Sequence, residues 1–346
     1  MTRKAVSLIS GGLDSLLATK VILDQGIHVE GINFFTGFCV EGHTHAIRKK
    51  DNKPKRNNAL WVAEQLGIKL HIIDIVEEYK DVVLNPRHGY GANLNPCLDC
   101  KIFMVHKALE WIQKNDFDFM ITGEVIGQRP MSQRKATMPV VAHESGAEEL
   151  LLRPLCAKKL PPTLPEQQGW VDREGLYDFS GRSRKPQIAL ARQFGFDDYA
   201  QPAGGCCFLT DENYSVKLQD LWSNRGQKKY DLDDIMLLKV GRHIRPRPEF
   251  KLIIAREEGE TRFLSGYKNQ FQSIKTVSHS GPLALVEGAT LDEEQLKLAC
   301  AITARFSKGK DADDVELRYT SPGHEARNIH VKAMSTDEIP KHWYLL

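Results

Sequence analysis

Residues 4–25 read KAVSLISGGLDSLLATKVILDQ. KAVSLIS (4–10) is a short apolar run ended by glycine, the pattern of a buried strand. LDSLLATKVILDQ (13–25) has the apolar spacing of a helix. SGGLDS (10–15) is the junction between them. Gly11 and Gly12 permit a tight turn whose backbone N–H groups face an anion. Ser10 and Ser15 add hydroxyl donors, and the start of a helix favours negative charge. Asp14 is a poor ligand for a phosphate but a good one for Mg2+ held against phosphates. The plainer alternative is a strand–turn–helix junction that binds nothing.

The alternation continues on the C-terminal side. HVEGINFF (28–35), IKLHIIDI (68–75) and FDFMITGE (117–124) read as strands. ALWVAEQLG (59–67) and the stretch 100–115 read as helices. Strands alternating with helices predict an α/β fold, a parallel sheet with helices on both faces. From about residue 150 to 211 the chain is rich in Pro and Lys and then carries a helix at 183–196. A second unit, 212–346, reads as a smaller α+β domain. It opens on a helix, VKLQDLWSNR, followed by strand candidates IMLLKVG, FKLIIARE, TRFLSGY, LALVEG, VELRYTS and NIHVKAM. A chain of 346 residues has room for both domains.

In its place after a strand, SGGLDS resembles the PP-loop of ATP pyrophosphatases and lacks the lysine of the GxxxxGK[ST] loop. That resemblance implies the adenine nucleotide alpha-hydrolase-like fold. It also implies ATP cleaved between its α and β phosphates, with AMP passed to a substrate oxygen. Three further segments narrow the likeness. NPCLDCK (95–101) looks like the segment holding the first active-site cysteine of bacterial tRNA 2-thiouridylases. Cys207–Phe208 is similar to the segment of their second cysteine. TGEVIGQRPMSQ (122–133) resembles the TGExxGQxxSQ segment of tRNA 4-thiouridine synthetases. The chain thus resembles the tRNA thiolation branch of the PP-loop superfamily over residues 1–211, which implies tRNA as partner. Carried over position by position, Ser10, Gly11, Gly12, Asp14 and Ser15 would bind ATP and Mg2+. Phe34 would lie beside the adenine, with Gly123 and Gln128 at the nucleotide or the RNA. Cys97, Cys100 and Cys207 would carry the sulfur chemistry, with Asp14.

Seven cysteines, an odd number in a chain without a secretion signal, favour metal or redox chemistry over a disulfide framework. Two routes fit a CxxC pair and a distant thiol. A cysteine persulfide attacks the adenylated carbon and a second cysteine resolves it. Alternatively three thiolates, Cys97, Cys100 and Cys207 (or Cys206 in its place), hold a [4Fe-4S] cluster that presents sulfide. Zn2+, or no metal, are the alternatives. The sulfur donor is then sulfide or a persulfide carrier protein. Cys39, Cys156 and Cys300 read as core or surface residues.

Net charge is only +2, but two basic runs stand out, RKKDNKPKR (48–56) and GRHIRPRPEFK (241–251). The second faintly resembles part of an RNA-binding unit of ribosome-quality-control proteins. Arg242, His243, Arg245 and Arg247 are its candidates for phosphate contacts. No apolar run is long enough to span a bilayer, and a cytoplasmic protein is expected. The function expected is ATP-dependent tRNA sulfur transfer. The competing readings are a PP-loop ligase or amidotransferase on a small molecule, and a non-catalytic RNA-binding protein that senses ATP.

Overall fold

The computed structural model describes residues 2–40, 56–200 and 206–346. They divide into two units, 2–40 with 56–200 and Cys206, and 207–346. Most of the first basic run, 48–55, and the segment 201–205 before Cys206 lie outside the described residues.

In the first unit, strands β1 (Lys4–Leu8), β2 (His28–Phe35), β3 (Leu70–Asp74), β4 (Phe119–Ile121) and β5 (Leu151–Leu152) form a parallel sheet in the order β3-β2-β1-β4-β5. Alternation along β1 sends Ala5 and Ser7 to the face covered by helix α1 (Leu13–Leu23). There Ser7 and Thr19 hydroxyls share a hydrogen bond of 2.7 Å. Helix α2 (Asn58–Leu66) and a helix at Lys185–Gln193 pack on α1 and close that core. A long helix, Cys97–Lys114, packs on β1 and β4. The strand order reverses between β1 and β4. A crevice outside the strand C-termini at such a switch point is where open α/β sheets take ligands.

The second unit is a six-stranded antiparallel sheet, in the order β11-β10-β8-β9-β7-β6. Its strands are β6 (Arg242–Arg247), β7 (Phe250–Ile254), β8 (Gln272–Thr276), β9 (Leu283–Gly288), β10 (Val315–Thr320) and β11 (Arg327–Val331). One face buries Leu252, Ile274, Val286 and Leu317 with the helix Glu293–Arg305.

The expected α/β sheet and smaller α+β unit are both present. Two strand expectations in the second unit are corrected. IMLLKVG begins in a helix, Leu232–Leu237, started by a capping box between Asp231 and Asp234, and continues as the turn that follows it. TRFLSGY lies largely in the helix Glu258–Ser265. Both are short apolar runs in which helix and strand periodicities are hard to separate. Two strands went unread. Gln272–Thr276 is too polar to signal one. Arg242–Arg247 contains Pro246, tolerated because β6 is an edge strand with a register shift between Ile244 and Arg247.

Candidate nucleotide and thiol site

The turn after β1 requires its glycines. Gly11 has φ of +79°, and a Cβ there would come within 2.8 Å of the Ala59 backbone nitrogen at the start of α2. Gly12 is the N-cap of α1 and supplies no side-chain cap. Its carbonyl instead accepts from Ser15 Oγ at 2.8 Å. Ser15 is therefore committed to bracing the turn, whereas Ser10 is exposed.

The loop after β4 is pressed against this turn. A Cβ on Gly123 would stand 2.4 Å from the Asp14 carbonyl carbon and 2.6 Å from the Ser15 nitrogen, so only glycine fits. Five residues on, Gln128 Nε2 donates to Asp14 Oδ2 at 2.8 Å, and Gln187 Nε2 donates to Gln128 Oε1 at 2.9 Å. Arg184 lies 3.7 Å from the same Asp14 oxygen. Asp14 Oδ1 is buried with no hydrogen-bond donor among the described residues. Burial pushes the Asp14 carboxyl above the ordinary range, against the opposing pull of Arg184, Gln128 and Arg129. A divalent cation at Oδ1 would supply the missing partner.

The helix expected from residue 100 begins at Cys97, so both thiols occupy its first turns, three residues apart and on one side. Asp99, between them, turns back and accepts from the backbone N–H groups of Arg87 (3.0 Å) and His88 (3.1 Å). Burial pushes the Cys97 and Cys100 thiols up, and Cys206 adds to both shifts. Asn95 hydrogen-bonds Cys97 and Tyr79 hydrogen-bonds Cys100; Lys101 pulls both thiols down, and Arg129 pulls Cys97 down. Arg129 therefore acts on Asp14 and on Cys97, and the phosphate turn and the thiol pair share one electrostatic environment. Cys206 is held by the loop after β2 through Val40 N to Cys206 O, 3.5 Å. Cys207 belongs to the second unit and adds to the upward shift of the Tyr214 hydroxyl.

Lys101 reaches Glu124 Oε1 at 3.8 Å. Glu124 is 2% exposed and also takes Arg153 Nε at 3.1 Å and Thr122 Oγ1 at 2.9 Å. Burial alone would raise this carboxyl, but Lys101, Arg153 and Thr122 hold it below the usual range.

Phe34 is buried in the sheet near the end of β2. Cys39 Sγ lies 3.4 Å from Thr36 Oγ1, Cys156 donates to the Glu124 carbonyl at 3.2 Å, and Cys300 is a core residue. Arg129, Arg184, Gln187, Lys101 and Glu124 were not singled out in the sequence. Glu124 and Arg129 lie inside the TGEVIGQR stretch. Lys101 directly follows the second cysteine.

Among the described residues, no three His, Cys, Asp or Glu side chains stand together as a metal site. The thiol chemistry of Cys97, Cys100 and Cys206 suits an iron–sulfur cluster, but only the first two are fixed on one element. No described helix is long and apolar enough to cross a membrane.

Three of the four phosphate candidates of the second unit are corrected. His243 is 2% exposed, with Nε2 against the Val240 carbonyl at 2.9 Å. Arg245 is spent on both oxygens of Asp220, at 2.6 and 2.8 Å. Arg242 stacks over the Phe306 ring at 4.8 Å. Only Arg247 of the four is exposed.

Residues 3–146 match the family model described as tRNA methyl transferase HUP domain, and residues 241–344 match that of the NFACT protein RNA binding domain. The chain is 28% identical over 260 residues to the tRNA-specific 2-thiouridylase MnmA of Mesoplasma florum, covering 70% of this chain and 65% of that protein. It is 30% identical over 254 residues to the protein of the same name from Marinomonas sp., covering 70% and 58%. The chain thus spans less than two thirds of these relatives' own length. A solved 4-thiouridine synthetase–RNA complex with bound ATP overlaps at 20% identity and TM-score 0.40, over 60% of this chain and 44% of that one. The resemblance to the tRNA thiolation branch of the PP-loop superfamily thus holds in a family model and in curated relatives.

Proposed function

We propose that this chain, similar to the PP-loop tRNA-thiolating enzymes, uses ATP to replace a uridine carbonyl oxygen of tRNA with sulfur. What supports this reading is that the phosphate turn and the thiol pair stand on one parallel sheet and are linked through Arg129, in the loop after β4. Asp14 and Cys97 lie within the field of the same guanidinium, Arg129.

The turn at 10–15 would take the triphosphate on the N–H groups at the start of α1. The buried Oδ1 of Asp14 would hold Mg2+. Arg129 and Arg184 would offset charge building at the α-phosphate. The uracil carbonyl oxygen attacks that phosphorus, pyrophosphate leaves, and the oxygen becomes part of an AMP leaving group. Activation is needed because hydroxide leaves poorly at neutral pH.

In the persulfide form, the terminal sulfur on one cysteine attacks the activated carbon and AMP departs. The second thiol then attacks the remaining S–S bond and frees the thiouridine. The resulting disulfide is reset in one of two ways: an external dithiol reduces it and a persulfide carrier then transfers its outer sulfur to the free thiol, or sulfide opens the disulfide directly and leaves one cysteine as persulfide and the other as thiol. Alternatively Cys97, Cys100 and Cys206, or Cys207 in its place, would hold a [4Fe-4S] cluster, which when bound would supply sulfide as the nucleophile. The elevated thiols favour a site that stays protonated until sulfur or metal is loaded. The second unit would hold the tRNA body.

The test is incubation of anaerobically purified chain with ATP, Mg2+, sulfide and unmodified tRNA, followed by nucleoside mass spectrometry. An ATP-dependent thiouridine supports the reading. Pyrophosphate release without any thionucleoside, using tRNA that demonstrably binds, favours the ligase or amidotransferase alternative.

A further inference from the structure

The outer face of the second unit's sheet is divided. Across β9 and β7, Leu283, Leu285 and Ile253 are covered by Leu237, Val240 and Leu264. Coverage thins along β8, where Ser273 is buried but Lys275 is exposed. Along the register, Leu283 pairs with Lys275, Lys275 with Arg318, and Arg318 with Asn328. Side chains at paired positions point to the same face. Lys275, Arg318 and Asn328 are all exposed.

Lys275 and Arg318 stand directly opposite each other, with backbones about 5 Å apart by ordinary strand spacing. Like charges so placed destabilise a sheet. Neither has an ion-pair or hydrogen-bond partner among the described residues. Two acids on the same side of this strand, Glu316 and Asp314, are bonded to groups other than these cations. Glu316 accepts from Asn328 Nδ2 at 2.7 Å, and Asp314 pairs with His330 at 2.8 Å. By contrast Arg245 and Lys251, on the covered half, have carboxylate partners. The open half thus keeps two exposed cations without a bonded partner on a rigid ladder, beside Glu316, whose carboxylate is bonded to the Asn328 amide.

We propose that this open face, centred on Lys275 and Arg318, is the surface on which the second unit takes the phosphate backbone of RNA. A phosphate offers the acceptor oxygens and negative charge that the pair lacks. Backbone contacts of this kind position an RNA without reading its sequence. The inference rests on the reading that this chain acts on tRNA, and it replaces the 242–247 run as the contact surface.

The test measures binding of an unmodified tRNA transcript by the full chain across a salt series. K275Q/R318Q removes the repulsion, so it should fold at least as well as the natural chain, as thermal melts would verify. Its slope of log affinity against log salt should fall by about 2. K275E/R318E should lose affinity by at least about tenfold. R247E, an exposed cation off this face, should stay within about twofold. An unchanged salt slope in the folded double Gln variant, with natural-chain binding intact, overturns the face and leaves the tRNA reading standing. No tRNA binding by the natural chain overturns both. Binding of polyglutamate as tight as that of tRNA overturns the proposal in favour of an acidic protein partner.

Discussion

In the first unit, the carboxylates of Asp14 and Glu124 each keep one buried oxygen with no hydrogen-bond donor among the described residues. In the second unit, both oxygens of Asp220 are engaged by Arg245. Buried acceptors left open cost free energy unless something arrives to satisfy them. The difference separates charge that waits for a ligand from charge that holds a fold. It also explains why a basic run in the sequence, 242–247, is poor evidence of an RNA surface: its arginines and histidine are mostly consumed by neighbours.

The sharpest way to break this contrast is at Asp14. Asp14→Ala should reduce pyrophosphate release by on the order of 10²–10³-fold, while tRNA affinity stays within a few fold. A variant that keeps full turnover would move Asp14 to the structural side.

Glu124 combines both kinds of charge. Glu124→Ala leaves Arg153, 6% exposed, without its carboxylate and should cost about 3–5 kcal/mol in urea unfolding. Because the folded carboxyl lies below the usual range, its contribution is present above the unfolded value near pH 4.5. It is lost as pH falls through the folded value. Glu124→Gln should flatten that acid limb. Lys101→Met, at the half-buried end of the network and 3.8 Å from Glu124, should cost about 1 kcal/mol.

Asp220→Ala should destabilise by about 3 kcal/mol, since Arg245 then keeps a half-buried charge unpaired. Pyrophosphate release per folded molecule should not change. A selective loss of that activity would overturn the assignment of Asp220 to structure.

The smallest effect is the most diagnostic in sign. The Asp14 carboxyl is raised by burial, so its ionised form disfavours folding at pH values above the unfolded pKa. Asp14→Asn should therefore raise the thermal midpoint slightly at neutral pH without Mg2+. A lowered midpoint would show that the carboxylate is needed to hold the fold.

Much of this arrangement was legible because local chemistry dictates it. Gly11 and Gly123 are needed by a positive φ and by a backbone contact, and both stood in readable segments. Gln128 was singled out by resemblance and proves to hold Asp14. Arg129, Arg184 and Gln187 were not legible, because an Arg or Gln in a polar loop carries no periodic signal and gains meaning only when the chain brings β1, β4 and Lys185–Gln193 together. The pairing of Lys101 with Glu124 spans separate elements and is invisible for the same reason. In the second unit, seven-residue runs such as IMLLKVG and TRFLSGY fit a helix as well as a strand, and burial of His243 depends on a sheet whose order does not follow the chain.

The central claim is that phosphate turn and thiol pair form one site with two separable steps. The direct measurement is pyrophosphate and thiouridine counted in the same reaction for the natural chain, Asp14→Ala and Cys97→Ser. The account predicts matched yields in the natural chain, neither product with Asp14→Ala, and tRNA-dependent pyrophosphate without thiouridine with Cys97→Ser. Full thiouridine yield from folded Cys97→Ser would contradict it.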